Sequence, residues 1–127
     1  MYLLLDPSNK ETFHIVLFDE QNVFSYEESG EHRDLLSAID QVLSRHGITN
    51  DAVKGIAVVV GAGTFTRTRV ATTIANVFGY ARRIPLLSIT KDQSASPQTL
   101  IPMLLNQPIG QYISATYSGE PNIGRKK

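Results

Sequence analysis

A chain of 127 residues with 42% hydrophobic and 19% charged positions is long enough to bury one core and is composed like an ordinary globular domain. Twelve basic and twelve acidic residues cancel, so no global field draws the chain to nucleic acid or to a membrane surface. The absence of cysteine excludes disulfide staples, thiolate metal sites and a cysteine nucleophile.

The N-terminal apolar run, residues 2–5 (YLLL), is too short for a signal peptide's apolar region and lacks a basic flank, and no segment has the ~20 apolar residues of a membrane span. The expected location is the cytoplasm. This run reads as a first strand, closed by the turn cluster Asp6-Pro7-Ser8-Asn9. Phe13–Phe18, β-branched and aromatic, is a second strand, and Gln21-Asn22 reads as a hairpin turn into a third over Val23–Tyr26. From Arg33 to His46 the period changes. Leu35, Leu36, Ile39, Val42 and Leu43 fall at helical spacing, and Gly47 stands where a left-handed cap residue belongs.

Ile56–Val60 has no polar alternation, so it is expected to be a strand buried on both faces. A second helix is expected over Thr66–Arg82 and a further buried strand over Pro85–Ile89. The order βββαβαβ implies an antiparallel meander followed by parallel returns through helices, hence a mixed α/β sheet. Ser96-Pro97 reads as the start of a short helix that Pro102 limits or kinks. Ile109–Tyr117 reads as a final short strand, and the chain closes on the basic residues Arg125, Lys126 and Lys127, read as a solvated tail.

Two loops carry candidate chemistry. Asp6 and Ser8 end the first strand, where a carboxylate and backbone amides can hold a nucleotide's metal and phosphates, or where the same residues simply cap a local turn. Gly61, Gly63, Thr64 and Thr66 lie in GAGTFT between a buried strand and a helix, a usual anion position. That loop has no lysine for a Walker motif and no third glycine for a dinucleotide motif. Metal chemistry has little support: His14, His32 and His46 are far apart, and neither HxxxH nor HExxH occurs. A two-metal nuclease would want acids at neighbouring strand ends, and GxSxG is absent. No cofactor is expected.

The second helix carries two stripes: Val70, Ile74, Val77 and Ala81, expected on the sheet, and the small residues Ala71, Ala75 and Gly79, expected to admit another helix at close range. Its first turn holds Arg67 and Arg69 and no acid, which opposes the helix dipole. The arginines are therefore expected to reach sideways to a carboxylate of the fold or of a partner.

Three segments in order resemble the TsaB (YeaZ) family. LLLDPS resembles its LxLDTS, EHRDLLSAIDQVL resembles its first helix with a histidine near the start, and VVVGAGTFTRTRVATTIANVFGYARRIPLLSIT resembles GxGPGSFTGxRxG followed by a helix and GIPLxxxSS. The chain departs from that pattern at Ala62 for Pro, Thr64 for Ser, Arg67 for Gly and Ala71 for Gly, while Arg69 matches the family's arginine.

The resemblance implies a lobe of the actin/sugar-kinase/Hsp70 (ribonuclease H-like) type over residues 1–90, with residues 91–127 a short extension and no second lobe, and the end of the chain is read as that of a natural minimal form. An actin-like cleft needs two lobes, so ATP hydrolysis by this chain alone is not expected. The implied role is that of a non-catalytic partner of a TsaD-like subunit in threonylcarbamoylation of tRNA adenosine 37. The chain would touch tRNA through that complex and form a homodimer when alone. The implied contact helices carry Arg67, Arg69, Val70, Ala71, Ile74, Ala75, Phe78 and Gly79, with His32, Leu36, Ile39 and Leu43 on the other. The rival reading is a nucleotide- or phosphate-binding enzyme using Asp6, Ser8 and the GAGTFT loop.

Overall fold

The structure, a computed structural model, describes residues 1–29 and 35–114; His32, the 115–117 end of the expected last strand and the basic C-terminus lie outside the described residues. Strand β1 (Tyr2–Asp6) pairs antiparallel with β2 (Thr12–Phe18), from Tyr2 opposite Phe18 to Asp6 opposite His14. The turn between them is built by short polar side chains. Ser8 N donates to Asp6 Oδ1 at 2.9 Å, and Asn9 Oδ1 accepts from Glu11 N and Thr12 N at 2.9 and 3.3 Å. In the next turn Asp19 Oδ1 accepts from Gln21 N and Asn22 N at 2.8 and 2.7 Å, which fixes the hairpin into β3 (Val23–Ser29).

Helix α1 (Leu35–Arg45) ends as its sequence predicts. Gly47 takes φ +66°, Gly47 N donates to Ser44 O, and Ile48 N reaches back to Leu43 O, the paired bonds of a Schellman cap. Strand β4 (Ile56–Val59) lies parallel to β1, and β5 (Leu86–Ile89) lies parallel to β4 after the long helix α2 (Phe65–Arg82). The sheet order is β3-β2-β1-β4-β5, the expected mixed sheet with an antiparallel meander on one side and parallel returns on the other.

Both faces of β1, β2, β4 and β5 are covered for most of their length, whereas the edge strand β3 alternates between half-buried and exposed positions. Leu3, Leu5, Ile15, Leu17, Ile56 and Val58 point to one core with α1 and α2. Tyr2, Leu4, Val16, Phe18, Ala57, Val59 and Ile89 point to a second. Alternate residues on one strand thus enter opposite cores, and both sets must be apolar. The second core is closed by a 3-10 turn at Pro97–Leu100 and by helix α3 (Ile101–Leu105), through Leu100, Ile101 and Leu104, each at most 5% exposed.

Three expectations are corrected here. Pro102 neither limits nor kinks a helix: it occupies the first turn of α3, where its missing N–H costs nothing. Ser96 supplies no side-chain cap; its carbonyl accepts from Thr99 N and Oγ1 instead. The described part of the expected last strand, residues 109–114, is turn and irregular backbone laid along α2. Asn76 holds it there, donating Nδ2–H to Ile113 O and accepting from Ile113 N, both at 3.0 Å.

The two stripes of α2 are reversed from the expected arrangement. Ala71 and Ala75 are wholly buried, and Gly79 lies against β5, where an added Cβ would stand 2.8 Å from Leu86 Cδ1. Val77 and Ala81 are exposed, with Val70 and Ile74 half-buried. Small residues let the helix axis settle onto the sheet, so the larger side chains are turned outward.

Candidate functional site

The first loop cluster assembles in part. Gly63 takes φ +79°, and a Cβ there would meet Ser8 Cα at 2.7 Å, so the GAGTFT loop lies directly on the Asp6–Ser8 turn. Asp6, Ser8 and Gly63 come together at the strand ends, with Gly61 (φ +79°) opening the loop. Thr64 is the N-cap of α2: its Oγ1 accepts from Arg67 N at 3.2 Å, and its carbonyl accepts from Thr68 Oγ1 at 2.8 Å. Thr66 is carried off the cluster and stands with Arg69, Val70 and Ile74 on the outward side of the helix.

Asp6 is 2% exposed and already engaged, its Oδ2 accepting from Lys91 Nζ in an ion pair with the residue two past β5. Burial pushes the Asp6 carboxyl up, but the Lys91 ammonium and the side-chain and backbone bonds of Ser8 outweigh it and hold the group below its ordinary value. Nothing near Lys91 in the sequence marks it as a partner; the one available signal is that a buried aspartate requires a cation. A carboxylate occupied in this way closes a strand-end turn and joins β1 to the chain after β5. Among the described residues no group of three or more His, Asp or Glu side chains comes together to hold a metal ion.

Arg67 answers the dipole conflict without a carboxylate. Its Nη2 donates to Thr12 O at 2.7 Å, and its guanidinium carbon sits 4.1 Å from the centroid of Phe13. Beside it Arg67 Nε and Thr12 Oγ1 are buried with no hydrogen-bond partner among the described residues. The expectation of a carboxylate of the fold or of a partner is corrected to a backbone carbonyl of the fold: this arginine is folded inward onto β2. Arg69 stays exposed, 5.4 Å from the Phe65 ring.

The residues expected at a partner surface divide the same way. Ala71, Ala75, Phe78 and Gly79 of α2, and Ile39 and Leu43 of α1, are core residues, at most 7% exposed where a value is resolved, because they face the sheet. Arg69, Val70 and Ile74 lie on or near the surface of α2, Val77 is 61% exposed, and Leu36 of α1 is 49% exposed. The described helices thus expose Val77 on α2 and Leu36 on α1, while Val70 and Ile74 are half-buried against the core and Phe65 and Arg69 stand exposed at the start of α2. No described helix is long and apolar enough to cross a membrane.

Comparison with known proteins follows the geometry. The family model described as TsaD, tRNA N6-adenosine threonylcarbamoyltransferase, matches residues 27–117. Among solved structures, YeaZ from Pseudomonas aeruginosa is 30% identical with a TM-score of 0.64, the match covering 70% of this chain and 44% of that one. A second, an uncharacterized protein with similarity to peptidase YeaZ from Pseudomonas aeruginosa, is 28% identical with a TM-score of 0.62, covering 71% of this chain and 44% of that one. The chain thus spans about 44% of the length of these relatives. No curated protein matches it. The sheet order, the loop pair at the strand ends and the family match over most of the sequence converge, and the chain belongs to the TsaD family, with the fold of a YeaZ (TsaB)-like lobe.

Proposed function

We propose that this chain is a non-catalytic, TsaB-like partner that docks on a TsaD-like catalytic subunit and so supports threonylcarbamoylation of tRNA adenosine 37. The observation that carries the reading is the aliphatic edge of α2, where Val77 is 61% exposed and Val70 and Ile74 stand half-buried beside it, on a helix whose small residues face the sheet. Exposed aliphatic rows on a helix fit helix-to-helix docking, where each buried side chain contributes about 1.5–3 kcal/mol. The inward turn of Arg67 and the Asp6–Lys91 pair favour a scaffold over a phosphate-handling centre, since both occupy groups that an anion or metal would need. Residues 1–90 form the docking lobe in this reading, and tRNA is reached through the complex.

Co-expression with the TsaD-like subunit of the same genome tests the proposal. A stable mixed complex that elutes together, with tRNA modification lost when this chain is removed, is the expected outcome. Separate elution with modification intact contradicts it, and a homodimer that persists in the presence of the TsaD-like subunit assigns the helix row to self-pairing instead.

A further inference from the structure

A second surface feature stands apart from the helix row. The C-terminal end of α2 and the segment 109–112 enclose a cleft of about 260 Å³. Its floor is apolar: Gly79, Ile84 and Leu86, the last two at most 9% exposed. Its rim carries Tyr80, Arg83 and Tyr112, and the tyrosines are 76% and 70% exposed. The wall formed by the 109–112 segment is held in place next to the cleft by the double hydrogen bond between Asn76 and Ile113.

Two observations distinguish the cleft from ordinary surface relief. Arg83 caps α2 in the left-handed conformation at φ +55°, and among the described residues it is the one non-glycine with positive φ. Glycine or asparagine is the unstrained choice at such a cap, so an arginine there carries a conformational cost of about 1 kcal/mol. Its neighbour Arg82 is tied to Asp51 at 2.6 Å, whereas the Arg83 side chain makes no ion pair or hydrogen bond among the described residues. The other observation is the pair of tyrosine rings standing in water on both segments that form the cleft, where their aromatic faces have no protein stacking partner among the described residues.

We propose that this cleft binds one nucleotide, its base against the tyrosine rings above the apolar floor and its phosphate on the Arg83 guanidinium. Base-on-aromatic stacking and a guanidinium–phosphate fork are the contacts these side chain types make best. An aliphatic peptide would leave the cation unmatched, and an acidic one would leave the rings unused. The volume lies just below the ~300–1,000 Å³ of drug-sized pockets, enough for one base and its sugar. The nucleotide is either free or part of a single-stranded RNA.

Calorimetric titration of the full chain with AMP and, separately, with hexa-adenylate RNA tests the site and separates the two sources. Saturable binding of AMP, with the hexamer no more than a few-fold tighter, assigns a free nucleotide; binding of the hexamer alone assigns RNA, and either result supports the proposal. Tyr80→Ala and Tyr112→Ala each weaken binding about fivefold or more. Arg83→Gly weakens it and, for the hexamer, reduces the log–log salt slope by about 0.7, while the melting temperature holds or rises because glycine suits the cap. No saturable binding of either ligand to millimolar concentration, or equal affinity in Tyr112→Ala and Arg83→Gly, overturns it.

Discussion

Arg67 joins two segments 55 positions apart in sequence, the first turn of α2 and the start of β2, through one carbonyl and one aromatic face. A charge-assisted hydrogen bond and a cation–π contact at a half-buried position together stabilise by about 1–2 kcal/mol. Arg67→Ala is expected to lower stability by that amount in urea unfolding, and Arg67→Lys to recover only part of it, because lysine lacks the planar fork. An unchanged midpoint for both would mean that the contacts with Thr12 and Phe13 do not support the fold. Local sequence could not identify its true partner, since the conflict with the helix dipole is visible at Arg67 but the Thr12 carbonyl is not. Asp6 is the parallel case: its lysine lies 85 positions away. The folded state holds the Asp6 pKa below its ordinary 3.8, so the pair adds stability above that pH and loses it as pH falls through the folded value. Asp6→Asn removes this contribution. The stability gap between wild type and Asp6→Asn should be wide at pH 7 and shrink progressively as pH falls from the ordinary 3.8 through the lower folded value, as read from urea midpoints across an acid series. A gap independent of pH would show that the carboxylate's charge does not matter.

Helix α2 shows where periodicity stops being informative. Its stripes were legible as sets, because Val70, Ile74 and Val77 recur on one side and Ala71, Ala75 and Gly79 on another. Which set faces the sheet was not, since both are compatible with burial and the choice depends on how closely β5 approaches. Leu86 decides it by filling the space that a side chain at Gly79 would need. Gly79→Ala should therefore lower stability by about 1 kcal/mol despite alanine's better helix propensity, and Leu86→Val should relieve most of that loss in the double variant. Thermal melts of the four proteins of this cycle check it. A stabilised single variant, or simple additivity, would mean that the helix does not rest on Leu86. The short α3 marks the other limit: a proline expected to limit or kink a helix instead sits in its first turn, because Pro102 follows a 3-10 turn that no periodic signal announces. By contrast the strands and the Gly47 cap were legible, since continuous apolar runs between turn clusters and a glycine after a helical stripe have few other solutions.

At the scale of the molecule, one sheet separates two cores, and residues 97–105 close the second of them. Leu104 is wholly buried there, and Leu104→Ala should cost about 2–4 kcal/mol, seen as a loss of cooperative unfolding at lower denaturant; a cost under ~1 kcal/mol would mean that the segment merely rests on the sheet. Exposed aliphatic side chains remain in several places among the described residues, Val23 on β3, Leu105 on α3, Leu36 on α1 and Val77 on α2, and the proposed docking surface is the one that includes Val77. Val77 is the most exposed member of the α2 row, so Val77→Glu should change monomer stability by no more than about 0.5 kcal/mol while placing a charge at the centre of any contact made there. The most direct test is the calorimetric affinity of wild type and Val77→Glu for the TsaD-like subunit of the same genome. The expected result is a saturable one-to-one complex for wild type and an affinity at least tenfold weaker for Val77→Glu, with matching melting curves for the two free proteins. Equal affinity for both, or no complex with wild type, would contradict the assignment of this helix face as the docking surface.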